Sequence, residues 1–150
     1  MGSLLENVEI GYKSSKLERQ LLECNQSEKN KIYFICTGGT IDKDYARKAR
    51  TYNFEIAEPA VGRILEIVNP SFNYEIKSIL KKDSIDITNE DREFIFKEVE
   101  KTDYSNVIIT HGTDTMINTA EKLSHIKNKT IILVGSSLPE KFAHQMHIST

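Results

Sequence analysis

The stretch KIYFICTGGTIDKDY, residues 31–45, decides how the rest of the chain is interpreted. Residues 32–36 are apolar and have the composition of a buried β-strand. The strand is followed at once by Thr-Gly-Gly-Thr, residues 37–40, which places two hydroxyls around two glycines. Because glycines let backbone N–H groups approach a ligand closely, this turn is a candidate binding site.

Beyond residue 31 the pattern alternates between strands and helices. The sequence predicts strands at 31–36, 73–80, 106–110 and 130–135, and helices at 57–68, 88–101 and 115–125. In the second helix, Phe94, Ile95 and Val99 are expected to face the core. Nearly continuous Val and Ile runs bounded by helices are typical of a parallel sheet covered on both faces.

We therefore predict one α/β domain over residues 31–150, with a three-layer, flavodoxin-like or Rossmann-like arrangement. Residues 1–30 are predicted to form a separate extension with a short amphipathic helix at about 15–24.

The composition limits the kinds of partner that the protein is expected to bind. A net charge of -2 provides no field that would hold a polyanion, so nucleic acid is not expected as a partner. No apolar run approaches the roughly 20 residues that cross a membrane, and the first thirty residues lack the pattern of a signal peptide. Cys24 and Cys36 have no metal-binding spacing. We expect a reducing, cytoplasmic setting.

Polar residues follow the second and third predicted strands. Asp83 and Ser84 follow one strand, and Thr113 and Asp114 follow the next. One of residues 113–115 is expected to cap the helix that begins there. Because the carboxyl ends of parallel strands meet at one edge of the sheet, these residues are expected to gather beside residues 37–40. Such a crevice would suit a small polar ligand.

Two motifs carry a family resemblance. TGGTID, followed about seventy residues later by ITHGTDTM, resembles the signature pair of the bacterial-type L-asparaginases, and the resemblance covers residues 31–138. It implies a hydrolase that converts the side-chain amide of L-asparagine, or a similar small amide, to a carboxylate and ammonia. No metal or organic cofactor is implied.

The resemblance also implies residue roles. Thr37 matches the nucleophile and Thr113 the second essential threonine. Asp114 matches the carboxylate that receives the substrate's α-ammonium group, and Ser84 matches the serine that holds its α-carboxylate. The other expected substrate contacts are Gly38, Gly39, Thr40, Asp83 and Gly112. For the tyrosine of the family's mobile lid, Tyr52 is our choice and Tyr45 the alternative.

The sequence departs from the family pattern at the second threonine's partner. The family uses a lysine beyond the last predicted strand, whereas Lys141 comes too early and in a different context. We also expect the chain to lack the family's carboxyl-terminal domain, whose neighbouring copy completes each site. Residues 139–150 are compatible with a native end, a truncation or a frameshift. By analogy with shared family sites, we expect a homo-oligomer.

The sequence is therefore compatible with three functions. The first is an asparaginase-type hydrolase, which the lack of the family's lysine would impair, and the second is a non-catalytic module that binds aspartate or asparagine. The third is a flavodoxin-like protein that binds a phosphate at TGGT, against which the missing Gly-Lys-Ser/Thr pattern counts. His144 and His147 lie three residues apart, but the sequence offers no third metal ligand.

Overall fold

The computed structural model describes residues 31–45 and 54–143. The predictions that concern the helix at 15–24, Cys24, Tyr52, His144 and His147 lie outside these residues.

The described chain alternates between strands and helices as the sequence predicts. In chain order its elements are β1 (Ile32–Gly38), β2 (Lys43–Tyr45), β3 (Phe54–Ile56), α1 (Ala60–Val68), β4 (Tyr74–Lys82), α2 (Asn89–Lys101), β5 (Asn106–Thr110), α3 (Met116–Leu123), β6 (Thr130–Val134) and α4 (Glu140–Ala143). Short 3-10 turns span Thr40–Asp42 and Ser84–Asp86.

The main sheet has the strand order β4-β1-β5-β6, and all of its pairings are parallel. Because the strands are parallel, their carboxyl ends share one edge, where the connections to the helices begin. β2 and β3 form a separate antiparallel pair at this end of β1.

The two faces of the sheet bury different residues of the same strands. On one face, Phe34 and Cys36 pack with Val61 and Leu65 of α1. On the other face, residues of β1 and β5 pack against α2 and α3 in a cluster formed by Tyr33, Ile35, Ile95, Val99, Val107, Ile109 and Leu123. Successive strand residues point to opposite faces, so an apolar run such as residues 32–36 fits a strand covered on both sides. The prediction of an α/β domain with helices on both faces is confirmed.

Local signals explain the start of α2. The Thr88 hydroxyl accepts a hydrogen bond from the Asp91 N–H, and the Asp91 carboxylate accepts one from the Thr88 N–H. This reciprocal arrangement satisfies backbone donors that the first helical turn leaves free.

Two features of the structure differ from expectation: one predicted core residue is exposed, and one strand pair was not predicted. Phe94 is 46% exposed, whereas Ile95 and Val99 are fully buried, because adjacent residues of a helix point about 100° apart and only one of Phe94 and Ile95 can face the sheet. The β2–β3 pair was not predicted, since each of its strands has only three residues.

None of the helices within residues 31–45 and 54–143 is both long and apolar enough to span a bilayer.

Candidate active site

The first loop begins inside β1, which runs two residues further than predicted. Thr37 is therefore a strand residue and is fully buried. Its hydroxyl donates a hydrogen bond to the backbone carbonyl of Thr110, at the end of β5, over 2.7 Å. This contact ties together the carboxyl ends of the two central strands.

Gly38 and Gly39 bring the first loop into contact with both neighbouring loops. Their φ angles are 106° and 88°, a region that favours glycine. A Cβ atom on Gly38 would lie 2.4 Å from the Lys82 carbonyl oxygen, and one on Gly39 would lie 2.5 Å from the Gly112 nitrogen. The glycines are therefore needed for the close approach of three backbone segments.

The second loop is fixed by Asp83. Its Oδ1 accepts a hydrogen bond from the Ser84 N–H at 2.8 Å, and its Oδ2 lies 2.5 Å from the Lys43 Nζ. The hydrogen bond from Lys43 is the main reason that the pKa of Asp83 is lowered. Asp83 thus caps the turn at Ser84–Asp86 and links it to β2.

The third loop meets the second at Ser84. A Cβ atom on Gly112 would lie 2.6 Å from the Ser84 Oγ, so the Gly112 backbone packs directly against Ser84. The Ser84 side chain is fully buried, and its hydroxyl donates to Asp114 Oδ2 over 3.2 Å. Asp114 itself is exposed, so its carboxylate is also open to a ligand from the solvent side.

The residue before α3 does not act as a simple cap. Thr115 stands at the N-cap position, but its side chain accepts no capping hydrogen bond. Its hydroxyl instead donates to the Ser84 carbonyl oxygen at 2.6 Å. One of residues 113–115 therefore occupies the N-cap position, as expected, but it makes no capping hydrogen bond, because its hydroxyl links two loops instead.

His111 supports the third loop from within the core. It is fully buried, with Nδ1 at 2.7 Å from the Gly112 carbonyl oxygen and Nε2 at 2.9 Å from the Thr119 hydroxyl. The carbonyl can only accept, so Nδ1 carries the proton and Nε2 accepts from Thr119. Burial is the main cause that lowers the pKa of His111. Sequence reasoning gave this histidine no role, although its place directly after a buried strand was a usable signal.

Asp42 supports the first loop and was also missed. It is 3% exposed, and its Oδ1 accepts a hydrogen bond from the Ala60 N–H, at the start of α1, over 2.8 Å. Burial, partly offset by that hydrogen bond, raises its pKa to about 6. Asp42 lies eighteen residues before Ala60, so no local sequence signal suggested this contact.

The candidate reacting groups differ in accessibility. Thr113 is exposed and Thr40 is partly buried. The Thr40 hydroxyl makes no hydrogen bond to any other residue that the structure describes. Thr37, by contrast, is enclosed and already bonded. Of the two TGGT threonines, Thr40 is the more exposed.

The remaining candidates lie beside the loops. Tyr45 is 49% exposed and packs on Phe54 and Phe142, with ring centroids 5.2 Å and 5.1 Å away. Lys141 forms an ion pair with the Asp44 carboxylate. Within the described part of the chain, no three His, Cys, Asp or Glu side chains are grouped as metal ligands.

Residues 31–145 match the family model described as Asparaginase, N-terminal. The chain belongs to the asparaginase family. It is 31% identical over 122 residues to the glutaminase-asparaginase of Acinetobacter glutaminasificans, a match that covers 74% of this chain and 36% of that protein. It is 30% identical over 121 residues to L-asparaginase 1 of Escherichia coli K12, covering 75% of this chain and 35% of that protein.

Solved asparaginases share the fold of this asparaginase-family chain. The thermostable L-asparaginase from Thermococcus kodakarensis superposes with a TM-score of 0.60 at 30% identity, over 73% of this chain and 35% of that one. The chain thus spans about a third of the length of these relatives.

Proposed function

We propose that the chain carries an asparaginase-type amidohydrolase site for L-asparagine or a similar small side-chain amide. The observation that carries the proposal is the junction of the three loops. Gly39 touches Gly112, Gly112 touches Ser84, and Ser84 donates to Asp114. Family membership supports the reaction class.

The residue types at this junction suit a zwitterionic amino acid. Such a ligand needs an anion for its α-ammonium group and hydrogen-bond donors for its α-carboxylate. The exposed carboxylate of Asp114 supplies the first. The Ser84 hydroxyl and backbone N–H groups of the loops supply the second, and the helix dipole of α3 adds to their effect. For Ser84 to serve the ligand, its hydroxyl must turn from Asp114 towards the substrate.

The nucleophile in this proposal is a threonine of the TGGT turn. Thr37 is the residue that the sequence resemblance implies. Its hydroxyl is buried and donates to the Thr110 carbonyl, so, like that of Ser84, it must turn towards the substrate. We propose Thr37 as the attacking group, and the partly buried Thr40 is the alternative.

The proposed reaction is an acyl transfer in two steps. The threonine hydroxyl loses its proton to a base and its oxygen bonds to the amide carbon; the carbon–nitrogen bond breaks, and the protonated nitrogen leaves as ammonia. Water then attacks the ester, which regenerates the hydroxyl and releases aspartate. Backbone N–H groups of the glycine turn, other than that of Gly39, which donates to the Lys82 carbonyl, would stabilise the oxyanion, an effect usually worth several kcal/mol.

A non-catalytic binding module is the second candidate, and the lysines favour it. Lys141 is paired with Asp44, and Lys43 is paired with Asp83. Neither is a free cation for Thr113. If no cation lowers the proton affinity of the second threonine, the pocket would bind an amino acid without hydrolysing it.

Ammonia release from L-asparagine and L-glutamine tests the proposal. We expect Thr37→Ala to lower the rate by about 10³-fold or more, as for other nucleophile deletions. The melting temperature of this variant checks that it is folded, because the change also leaves a buried carbonyl without its donor. Thr40→Ala should keep most of the activity. Activity that survives in folded Thr37→Ala and disappears in Thr40→Ala would make Thr40 the nucleophile.

Thermal shift with L-aspartate separates the two functions. At a concentration 100 times its dissociation constant, a ligand raises the free energy of unfolding by about 2.7 kcal/mol. A shift without any ammonia release would identify a binding module. If there is neither a shift nor ammonia release, the asparaginase-type site is refuted for this chain.

A further inference from the structure

Negative charge collects around Ser84 at the junction of the loops. The Asp83 carboxylate accepts from the Ser84 N–H, and the Asp114 carboxylate accepts from the Ser84 hydroxyl. A zwitterionic amino acid brings a third carboxylate to this place. Its α-ammonium group can pair with Asp114, but its α-carboxylate is repelled by both acidic side chains unless a cation lies close by. The junction therefore needs a positive charge for the ligand's α-carboxylate.

Three hydrogen-bond donors of the junction are already in use. The Gly39 N–H donates to the Lys82 carbonyl over 2.9 Å, and the Ser84 N–H donates to Asp83 Oδ1 over 2.8 Å. The Ser84 hydroxyl donates to Asp114 Oδ2. Each of these donors must leave its present partner before it binds a ligand, whereas a charged side chain with a spare donor needs no such rearrangement.

Two lysines lie beside the loops, and their partners differ. The Lys82 Nζ lies 2.7 Å from Asp91 Oδ2, in the first turn of α2, so its charge is directed towards that helix. The Lys43 Nζ lies 2.5 Å from Asp83 Oδ2. The other oxygen of the same carboxylate, Oδ1, holds the Ser84 N–H. Lys43 and the Ser84 backbone therefore share one carboxylate, which places the Lys43 charge next to the Ser84 turn.

Lys43 can bind a further group without giving up its present one. A lysine ammonium group carries three N–H donors, and Asp83 occupies one of them. The side chain is 25% exposed, so part of it faces solvent. Its backbone is held in place, because Lys43 pairs with Ile56 of β3 and the preceding Asp42 carbonyl accepts from the Ala57 N–H. A fixed backbone with a long, partly exposed side chain suits a residue that contacts a ligand.

We propose that Lys43 is a substrate-binding residue, whose ammonium group pairs with the α-carboxylate of a bound amino acid while it keeps its contact with Asp83. The inference rests on the proposed function, because it takes a small amino acid as the ligand. Both charges of the ligand then face opposite charges. Its ammonium group faces Asp114, and its carboxylate faces Lys43 and the Ser84 hydroxyl. The family resemblance gives Lys43 no role.

This contact would select ligands that have a free α-carboxylate. The α-amide of L-aspartate keeps the ammonium group for Asp114 but offers Lys43 no anion at the α-position. Without Lys43, the two acidic side chains would repel the α-carboxylate of L-aspartate and leave the α-amide little affected. The preference for the free amino acid over its α-amide should therefore depend on Lys43.

Calorimetric titration of the full chain with L-aspartate and with its α-amide tests the contact. Lys43→Met removes the charge and keeps an unbranched side chain, and it should weaken L-aspartate binding by about tenfold or more. The affinity of this variant for the α-amide should change by less than about threefold. Lys43→Arg keeps the charge and should retain most of the affinity for L-aspartate. Lys81→Met is the matched control, because Lys81 pairs with Glu58 instead, and it should change neither affinity.

A role of Lys43 in structure alone would give a different result. If the ion pair only held Asp83, and through it Ser84, Lys43→Met would weaken L-aspartate and its α-amide alike. The melting temperature of each variant without ligand shows that it is folded, and Lys43→Arg provides a second comparison if the Met variant unfolds. Where ammonia release is measurable, Lys43→Met should raise KM for L-asparagine more than it lowers kcat.

Two outcomes would overturn the proposal while leaving the proposed function in place. The first is an affinity for L-aspartate that Lys43→Met does not change. The second is an equal loss of affinity for both ligands, which would mean that Lys43 acts only through Asp83. A wild-type chain that binds L-aspartate without releasing ammonia would refute hydrolysis, and the comparison of the two ligands would still decide the role of Lys43. A wild-type chain that binds neither ligand would refute both proposals.

Discussion

The Ser84 hydroxyl lies 3.2 Å from the Asp114 carboxylate and joins two loops that are thirty residues apart in the chain. Ser84 is fully buried, whereas Asp114 is exposed. One end of this hydrogen bond therefore belongs to the packed structure and the other to the surface that a ligand reaches. Variants of the two residues should separate stability from recognition.

Asp114→Asn should lose ligand binding with little loss of stability. The Asn side chain still accepts from the Ser84 hydroxyl, but it has no charge for an α-ammonium group. Ser84→Ala removes a buried hydroxyl and should cost about 1–3 kcal/mol. Urea unfolding, together with the melting-temperature shift caused by L-aspartate, measures both effects. An unchanged ligand shift in Asp114→Asn would contradict the assigned role of its charge.

Gly39→Ala should destabilise the protein by more than about 2 kcal/mol, since it combines a φ of 88° with a backbone contact. The added Cβ atom would lie 2.5 Å from the Gly112 nitrogen and push two site loops apart. Gly62→Ala is the control: Gly62 lies within α1, and a Cβ atom there would meet nothing within 4 Å. This change should stabilise by about 0.5–1 kcal/mol. Equal effects in urea unfolding would refute the close contact of the loops.

Much of the fold could be predicted because the pattern of apolar and polar residues along the chain indicates which segments are buried. The predicted strand at 106–110 coincides with β5, since its apolar run is bounded by polar residues. The gathering of the loops at one edge followed from parallel pairing alone. In contrast, β2 and β3 have three residues each and mix polar with apolar side chains, so neither periodicity nor composition indicates a strand there.

The surroundings of each site residue could not be predicted from the sequence in the same way. Whether Thr37 is buried depends on how far β1 continues, and its polar side chain gave no sign that the Thr110 carbonyl would accept from it. Asp42 and His111 lie next to recognisable motifs, but their roles depend on Ala60 and Thr119, eighteen and eight residues away. Such contacts are set by the packing of whole elements.

Thr119→Val should destabilise the protein by about 1–3 kcal/mol, although the two side chains have similar shapes, because it leaves the buried Nε2 of His111 without a donor. Thr119→Ser keeps the hydroxyl and should retain most of this contribution. The free energy of unfolding in urea measures the difference. A Val variant as stable as the Ser variant would show that the hydrogen bond makes no net contribution to the free energy of unfolding.

Asp42 and His111 should give opposite dependences of stability on pH. Burial lowers the pKa of His111, so the folded state binds fewer protons than the unfolded state, and stability falls as the pH drops below about 6.5. The pKa of Asp42 is raised from 3.8 to about 6, so the folded state binds more protons. Its contribution is full below pH 3.8 and is lost as the pH rises through 6.

Asp42→Asn should therefore become more stable relative to the wild type as the pH rises from 4 to 7. The Asn side chain keeps an acceptor for the Ala60 N–H but cannot ionise, and the pKa change corresponds to about 3 kcal/mol at most. Urea unfolding of both proteins at matched pH values gives the difference, in which the titration of His111 cancels. A difference that stays constant from pH 4 to 7 would mean that folding leaves the pKa of Asp42 unchanged, and one that declines would mean that the folded protein stabilises its carboxylate; either result would contradict the raised pKa.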